Sequence, residues 1–539
     1  MKKKTSAVLP ALILALSLLL TACGGTAANT ANTENTAQPI ESGDNTETKD
    51  NSETKDSNDN TDNTDTAVPG SADVTGAEAD ADDSGYEFSD RDLDPSYDQL
   101  AATVTLADGA TSVSGSGVTV AGDDITVTAA GTYLFTGALT DGSITVAAGE
   151  EDKVQLILDG VSVTNADGPA VYVRSADKVF LTLADGSDNT LADGPDAAAT
   201  DGDKELDGAV YSCADLTVNG SGSLTVLGNS KHGVVSKDDL VITAGSLTVT
   251  AVNVALEGKD CVKIADATLT LTAGTDGIRS TNDEDATRGY VYINSGSITV
   301  NAGSDGVQAV TALYVAGGTL NVTAKAASSD ESAKGLKAGT ELVIAGGNIT
   351  VDSSDDGVHC DGTILISGGT LNITSGDDGV HADETLTVNG GTLTITAAEG
   401  LESTVVTVSD GDITITATDD GINAANKSDA YSPLVEINGG TITITMGPGD
   451  TDGVDSNGDI VINGGTIAIT GSSSFDYDGT GVINGGTVTV NGQQVTTMPN
   501  QMMGGGMGGP GGMAPGGGMG GPGGMGGWGG GPGGMGGRP

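Results

Sequence analysis

Asp355-Asp356-Gly357-Val358-His359-Cys360-Asp361 returns 22 residues later as Asp377-Asp378-Gly379-Val380-His381-Ala382-Asp383. Between the two copies lies Gly368-Gly369-Thr370-Leu371-Asn372-Ile373-Thr374, which itself returns 22 residues on as Gly390-Gly391-Thr392-Leu393-Thr394-Ile395-Thr396. Copying at a fixed short period is the mark of a stacked-repeat architecture. Within the Gly-Gly-Thr element, apolar residues alternate with Thr or Asn. Such alternation predicts strands with one buried and one solvated face, with Leu and Ile inward and Thr outward. Apolar residues do not recur at three and four, so helix is not predicted. A unit of this length, holding two or three short strands and stacked many times, is a β-solenoid.

Working outward, further Gly-Gly copies start at Gly317, Gly346, Gly439, Gly464 and Gly485. The Asp-Gly-Val/Ile element recurs at Gly277, Gly306, Gly421 and Gly453, with looser copies at Gly335, Gly400 and Gly479. The shortest spacings are 21 or 22 residues, and the longer ones (29 and 32) equal one repeat plus a loop. The glycines are expected to supply positive-φ corners. Asn389, Asn438, Asn463 and Asn484 each precede a Gly-Gly pair, which predicts a corner stack of amides bonded turn to turn. Aromatic residues make up only 3% of the chain, so Val, Ile, Leu and Ala must fill the core. Residues 201–497 are thus the repetitive solenoid. Residues 91–200 are strand-rich but less regular, and read as its first turns and its cap.

The two ends read differently. Lys2, Lys3 and Lys4 precede an apolar run from Val8 to Leu20, too short to span a bilayer but suited to a signal peptide over 1–22. Leu20-Thr21-Ala22-Cys23 resembles a bacterial lipobox, predicting a protein held at the bilayer through acylated Cys23 and exposed at the cell surface. Residues 23–90, rich in Asn, Thr, Asp and Glu, lack the apolar content to fold and read as a disordered tether. Residues 498–539, built of Gly, Met and Pro, read as a disordered tail. Net charge is −53, which excludes nucleic acid and an anionic lipid surface as partners. Cys213, Cys261 and Cys360 show no pairing pattern and are expected to be single buried thiols. Nothing in the sequence specifies an oligomeric state.

The N-terminal motifs Gly131-Thr132-Tyr133-Leu134-Phe135-Thr136-Gly137, Val154 to Val161, Ala176-Asp177-Lys178-Val179-Phe180-Leu181-Thr182-Leu183 and Asn189-Thr190-Leu191, followed by the Asp-Asp-Gly-Val-His repeats, carry a resemblance. Over roughly residues 95–490 the chain resembles the carbohydrate-binding β-helix domain of bacterial surface lipoproteins. That resemblance implies an all-β, right-handed parallel β-helix, related in shape to pectate lyases, with bound calcium. It also implies binding to cellulose or to a pectin-like acidic polysaccharide.

The exact copy makes a chemical prediction of its own. Like residues one turn apart stack about 4.8 Å from each other. Two bare carboxylates at that distance repel by about 1 kcal/mol in water and about 3–4 kcal/mol at an effective dielectric of 20. The columns Asp355/Asp377, Asp356/Asp378 and Asp361/Asp383, extended by Asp419 and Asp420, therefore call for a cation, and all-oxygen donors suit Ca²⁺. Within the two copies only His359 and His381 are basic; with Asp neighbours they also fit zinc, though oxygen donors predominate. The single Asp-Gly copies at Asp276, Asp305 and Asp452 read as turns in which Asp bonds its own backbone. Lys334 and Lys337 fall in the columns of Asp356 and His359, one turn earlier. A lysine beside calcium-binding aspartates is the arrangement of a polysaccharide lyase, with the amine as base; a salt bridge to the ladder is the simpler use. Tyr290, Tyr292, Tyr314 and Tyr431 are candidates for sugar stacking. A rigid adhesive spacer is a third reading.

Overall fold

The structure is a computed structural model that describes residues 86–97, 99–328, 332–448 and 451–499. The signal peptide, Cys23, the tether up to residue 85 and the tail from residue 500 lie outside the described residues.

Each turn lays down three strands, and each pairs in parallel with its counterpart one turn on. One rank runs through Ser246–Ala251, Thr268–Ala273, Ser297–Ala302, Thr319–Ala324, Asn348–Ser353 and Thr370–Thr374. A second runs through Leu256–Gly258, Ile278–Ser280, Val307–Ala309, Leu336–Ala338 and Val358–Cys360. The third runs through Cys261–Ile264, Tyr290–Ile293, Ala312–Val315, Glu341–Ile344 and Thr363–Ile366. This is a parallel β-helix, and its core is the space between the ranks. Thr392–Ala397 alternates exposed and buried along its length, with Leu393 and Ile395 inward. Burying such a Leu or Ile is worth about 1.5–3 kcal/mol. Stacking repeats the gain turn after turn, which is why aliphatic residues suffice. Cys261 and Cys360 lie in this core; Cys213 is only half-buried, and all three are free thiols.

The glycines divide into two kinds. The second glycine of each Gly-Gly pair has positive φ, as at Gly369 (90°), and makes the expected corner. The Asp-Gly-Val glycines do not. A Cβ on Gly357 would sit 2.3 Å from Ile373 Cγ2 and 2.7 Å from the Gly379 carbonyl oxygen. Close approach, not backbone handedness, requires glycine there. The amide stack forms at Asn438, Asn463 and Asn484, each bonded to the next at 2.8 Å. Asn389 falls outside it, because its neighbours on adjacent turns are Ser367 and Ser409.

Both ends are closed by antiparallel hairpins: Ala102–Leu106 with Ser112–Gly115 and Val118–Ala121 with Asp124–Val127 at one end, and Thr487–Val490 with Gln493–Val495 at the other. These block the parallel edges that would otherwise template further strands. The strands of 131–193 stack in the same series as the repeats. Ser89 and Asp92 form a capping box on the short helix Asp90–Leu93. Asp92 is buried against Lys178 (2.8 Å) and Thr217 (2.5 Å). Burial would raise its pKa, but the Lys178 and Thr217 hydrogen bonds outweigh it and hold it low.

Candidate functional site

The residue before each Asp-Gly glycine forms one column on the second rank. Gly277, Gly306, Gly335, Gly357, Gly379, Gly400 and Gly421 each donate their backbone N–H to the carbonyl of Asp305, Lys334, Asp356, Asp378, Glu399, Asp420 and Asp452 respectively, one turn on. From Asp276 to Asp452 this makes seven steps of about 4.8 Å, a line about 34 Å long. Two residues past each glycine runs a neighbouring column: Glu257, Arg279, Gln308, Lys337, His359, His381, Glu402, Asn423 and Asp455.

The aspartates of the first column have divided duties. One oxygen accepts a backbone N–H from the next turn: Asp276 from Asp305 (3.2 Å), Asp305 from Lys334 (2.9 Å), Asp356 from Asp378 (3.2 Å) and Asp420 from Asp452 (3.0 Å). The bond crosses between turns rather than closing on the residue's own backbone, so at Asp276 and Asp305 the turn reading is corrected to a rung-to-rung tie; Asp452 accepts from the Ser473 hydroxyl. The other oxygen faces the second column. It meets Arg279 from Asp276 (3.0 Å), Lys337 from Asp305 (3.4 Å), His359 from Asp356 (2.8 Å) and His381 from Asp378 (2.7 Å).

The ladder therefore carries its own cations. Lys334 Nζ lies 2.8 Å from Asp355 and 2.6 Å from Asp356. Asp355, Asp356 and Asp377 bring an oxygen each within 4.8 Å of one another, so the ammonium sits at the cluster a metal ion would use. Burial would raise the Asp356 pKa, but the His359 hydrogen bond and the Lys334 charge outweigh it and hold the carboxyl well below the usual range. Burial would lower Lys334, yet Asp356 and Asp355 leave it raised. His359 Nε2 meets Asp361 at 2.9 Å, and His381 Nε2 meets Asp383 at 3.1 Å, so each ring is held between two aspartates. The two rings stack with centroids 4.9 Å apart. His381 also touches Glu402 (2.8 Å), which in turn pairs with Lys427 (2.9 Å). Burial opposes charge on His381, but Asp378 and Glu402 raise its pKa to about 10. Burial and then Glu402 push Asp378 up to about 7.

Toward the C-terminal end the cations stop. Burial raises Asp420 to about 7, with Asp455, Asp419 and Asp452 adding to it. Burial raises Asp455 to about 6, with Asp476, Asp452 and Asp478 adding. Among the described residues no basic side chain pairs with Asp420 or Asp455. Oδ1 of Asp476 and Oδ1 of Asn423 are buried acceptors without a hydrogen-bond donor.

Glu399, Glu402 and Asp455 belong to these columns and were not singled out from the sequence. Register is the signal that finds them: Glu399-Gly400-Leu401-Glu402 lies over Asp378-Gly379-Val380-His381. The tyrosines stand apart. Tyr290 and Tyr292 are on the third rank, where Tyr292 pairs in register with Tyr314 one turn on. Tyr292 donates to Asn294 (3.0 Å) and lies 6.0 Å from the Phe88 ring, while Tyr314 donates to Glu341. Tyr431 is 45% exposed, in the loop before Leu434–Ile437.

Known proteins give the chain a context. A solved structure titled a polysaccharide lyase-like protein from C. thermocellum, a gadolinium derivative, aligns over 50% of this chain and 97% of its own, at 30% identity and a TM-score of 0.41. A protein of Acetivibrio thermocellus described as carbohydrate-binding domain-containing is 37% identical over 136 residues, 25% of this chain. The match covers 48% of that relative's length. The family model described as carbohydrate-binding domain-containing protein matches residues 121–379 and 377–501, nearly the whole solenoid. The chain belongs to this family of carbohydrate-binding domain-containing proteins.

Proposed function

We propose that this chain is a cell-surface protein, anchored through acylated Cys23, that binds a plant-type or acidic polysaccharide with the help of calcium. The observation that carries the calcium part is the group of Asp420 and Asp455, carboxylates with no basic partner among the described residues, beside the donorless buried oxygens of Asp476 and Asn423. Stacked carboxylates that raise one another's pKa, beside buried acceptors lacking a donor, are the donor set a hard cation takes. Asp419 and Asp420, with Asp455 and Asp476, would hold the ion. The ladder of Asp355, Asp356, Asp361, Asp377, Asp378 and Asp383 fits calcium less well, since Lys334 and two histidines already stand there. Bound calcium supplies open coordination positions that uronate carboxylates or sugar hydroxyls can fill, overcoming the repulsion a charge of −53 would otherwise impose on an acidic glycan.

Retention of the full chain on immobilised polygalacturonate or cellulose tests this reading. Calcium is expected to retain the protein and EDTA to release it, and Asp420→Asn with Asp455→Asn should abolish the calcium effect. Retention indifferent to calcium would remove the bridge; no retention on either polymer would leave the rigid spacer. A lyase needs an unprotonated amine as base, and Lys334, held by two carboxylates with its pKa raised, is a poor one. Absence of the ultraviolet absorbance of an unsaturated uronate checks that point. Cys23→Ala is expected to move the protein from the membrane fraction to the soluble one.

A further inference from the structure

Three side chains from adjacent turns converge on one ring nitrogen. His381 Nδ1 lies 2.7 Å from Asp378 Oδ2 and 2.8 Å from Glu402 Oε2. All three residues are buried, at 8%, 6% and 3% exposure. A ring nitrogen carries at most one hydrogen, so two carboxylate oxygens compete for a single donor. The ring cannot turn away from them, because Nε2 is tied to Asp383 Oδ1 at 3.1 Å. Glu402 is fixed as well: Asn423 reaches its Oε1 at 3.4 Å and Lys427 its Oε2 at 2.9 Å. An oversubscribed nitrogen, flanked by two buried oxygens and steadied from behind by another carboxylate, has the form of a metal site with its supporting bonds in place.

We propose that Asp378, His381 and Glu402 bind a zinc-class divalent ion, separately from any calcium. Ligand atoms about 2.0–2.2 Å from a tetrahedral zinc lie about 3.3 Å from each other. The oxygens therefore have to part from Nδ1 by only about half an ångström to admit the ion. One imidazole with two carboxylates suits zinc and its neighbours among the transition metals. Calcium, which takes six to eight oxygens, gains nothing from the nitrogen. Lys427 is the movable part. Its side chain is 34% exposed, so it can swing into solvent as the ion takes over the Glu402 charge, leaving the fourth position open to water. The Asp383 carboxylate on Nε2 fixes the tautomer that offers Nδ1 to the metal.

The test is a calorimetric titration of the full chain, stripped with chelator and returned to a buffer containing excess calcium, with Zn²⁺ as the probe. One zinc per chain is expected in the presence of calcium, lost in His381→Ala. Asp383→Asn should weaken binding about 10–100-fold while leaving the stoichiometry. Co²⁺ added to the unaltered chain is expected to give the intense visible bands of a tetrahedral site, a readout that needs no variant. Zinc uptake that His381→Ala leaves unchanged, no uptake at all, or octahedral-type cobalt bands would overturn the assignment. Polysaccharide retention plays no part in any of these readings, so the site can fail or stand independently of carbohydrate binding.

Discussion

The same two columns run through both halves of the solenoid, yet the halves settle their charge differently. Between Glu257 and Glu402 the carboxylates of the facing columns, Glu399 apart, have a basic partner within reach: Arg279, Lys337, Lys334, His359, His381 or Lys427; among the described residues the Glu399 carboxylate accepts only from the Asn423 amide. From Asp420 to Asp478 the facing groups are acids and Asn423, and no basic side chain pairs with Asp420 or Asp455 among the described residues. Repetition fixes where a side chain stands; the residue one turn away decides what that position costs. The upstream half has internal counter-ions that stiffen it, and the downstream half keeps an unmet demand for positive charge.

The sharpest way to break this comparison is to treat the upstream ladder as though it were repulsive. If it were, Asp356→Asn would stabilise the metal-free protein. The ion pair predicts the reverse. Lys334 and Asp356 are nearly buried, with side chains 12% and 4% exposed, so removing the carboxylate leaves an ammonium without its closest partner. A loss of about 3–5 kcal/mol is expected, as for other broken buried pairs, read as a lower urea midpoint in EDTA. A raised midpoint would restore the repulsive picture.

A second difference is in pH. Asp420 and Asp455 have folded pKa values of about 7 and about 6, above the unfolded value near 3.9. The folded state then binds more protons than the unfolded one, so stability falls as pH rises from about 4 to about 7. Glu402 runs the other way. Burial would raise it, but His381, Asp378 and Lys427 bring it to about 2, so its contribution is present above about 4.5 and lost as pH falls toward 2. Hydrogen exchange in EDTA is expected to show the turns of 420–490 loosening between pH 4 and 7, as do those around Asp378 and Glu399, which are raised to about 7 and about 8, while the turns around the Lys334–Asp356 pair, where Asp356 is held low, keep their protection. Calcium at a hundred times its dissociation constant should add about 2.7 kcal/mol and flatten that slope. Equal protection in both halves at pH 7 without calcium would erase the distinction.

How much of this was legible in the sequence follows from what a repeat encodes. The 22-residue copy and the alternation in Thr392-Leu393-Thr394-Ile395-Thr396 specify parallel strands and their inward face, because period two and period 22 are both local in sequence. The stacking of His359 on His381 and of Lys334 over Asp356 follows from the same register. Other features depend on contacts a motif does not name. Lys427 reaches Glu402 from a loop, and Glu402 is legible only after Gly400 is aligned with Gly379. Asp92 meets Thr217 from 125 residues away. The glycine of Asp-Gly-Val looks like a turn residue in sequence, and only the packing of Ile373 against it reveals a space constraint.

The smallest expected effect concerns the corner amides, which mark the downstream half in another way. Asn438, Asn463 and Asn484 are linked by successive 2.8 Å bonds, and Asn463 also reaches Glu436 at 3.2 Å. Upstream, Asn389 occupies the same corner between Ser367 and Ser409, and its side chain bonds to no described residue. The ladder amides are exposed, so water competes for every bond and each is worth only the low end of about 0.5–1.5 kcal/mol. Asn463→Ala cuts the chain of amides on both sides, and is expected to cost about 1 kcal/mol. Asn389→Ala should cost less than that, since it removes no bond. Urea midpoints of the two variants, compared in calcium so that the acidic turns nearby are screened, separate the amide contribution from the charge effect. Equal losses would mean that the corner asparagine acts through its own turn alone, and that the bonds between turns add nothing to the downstream half.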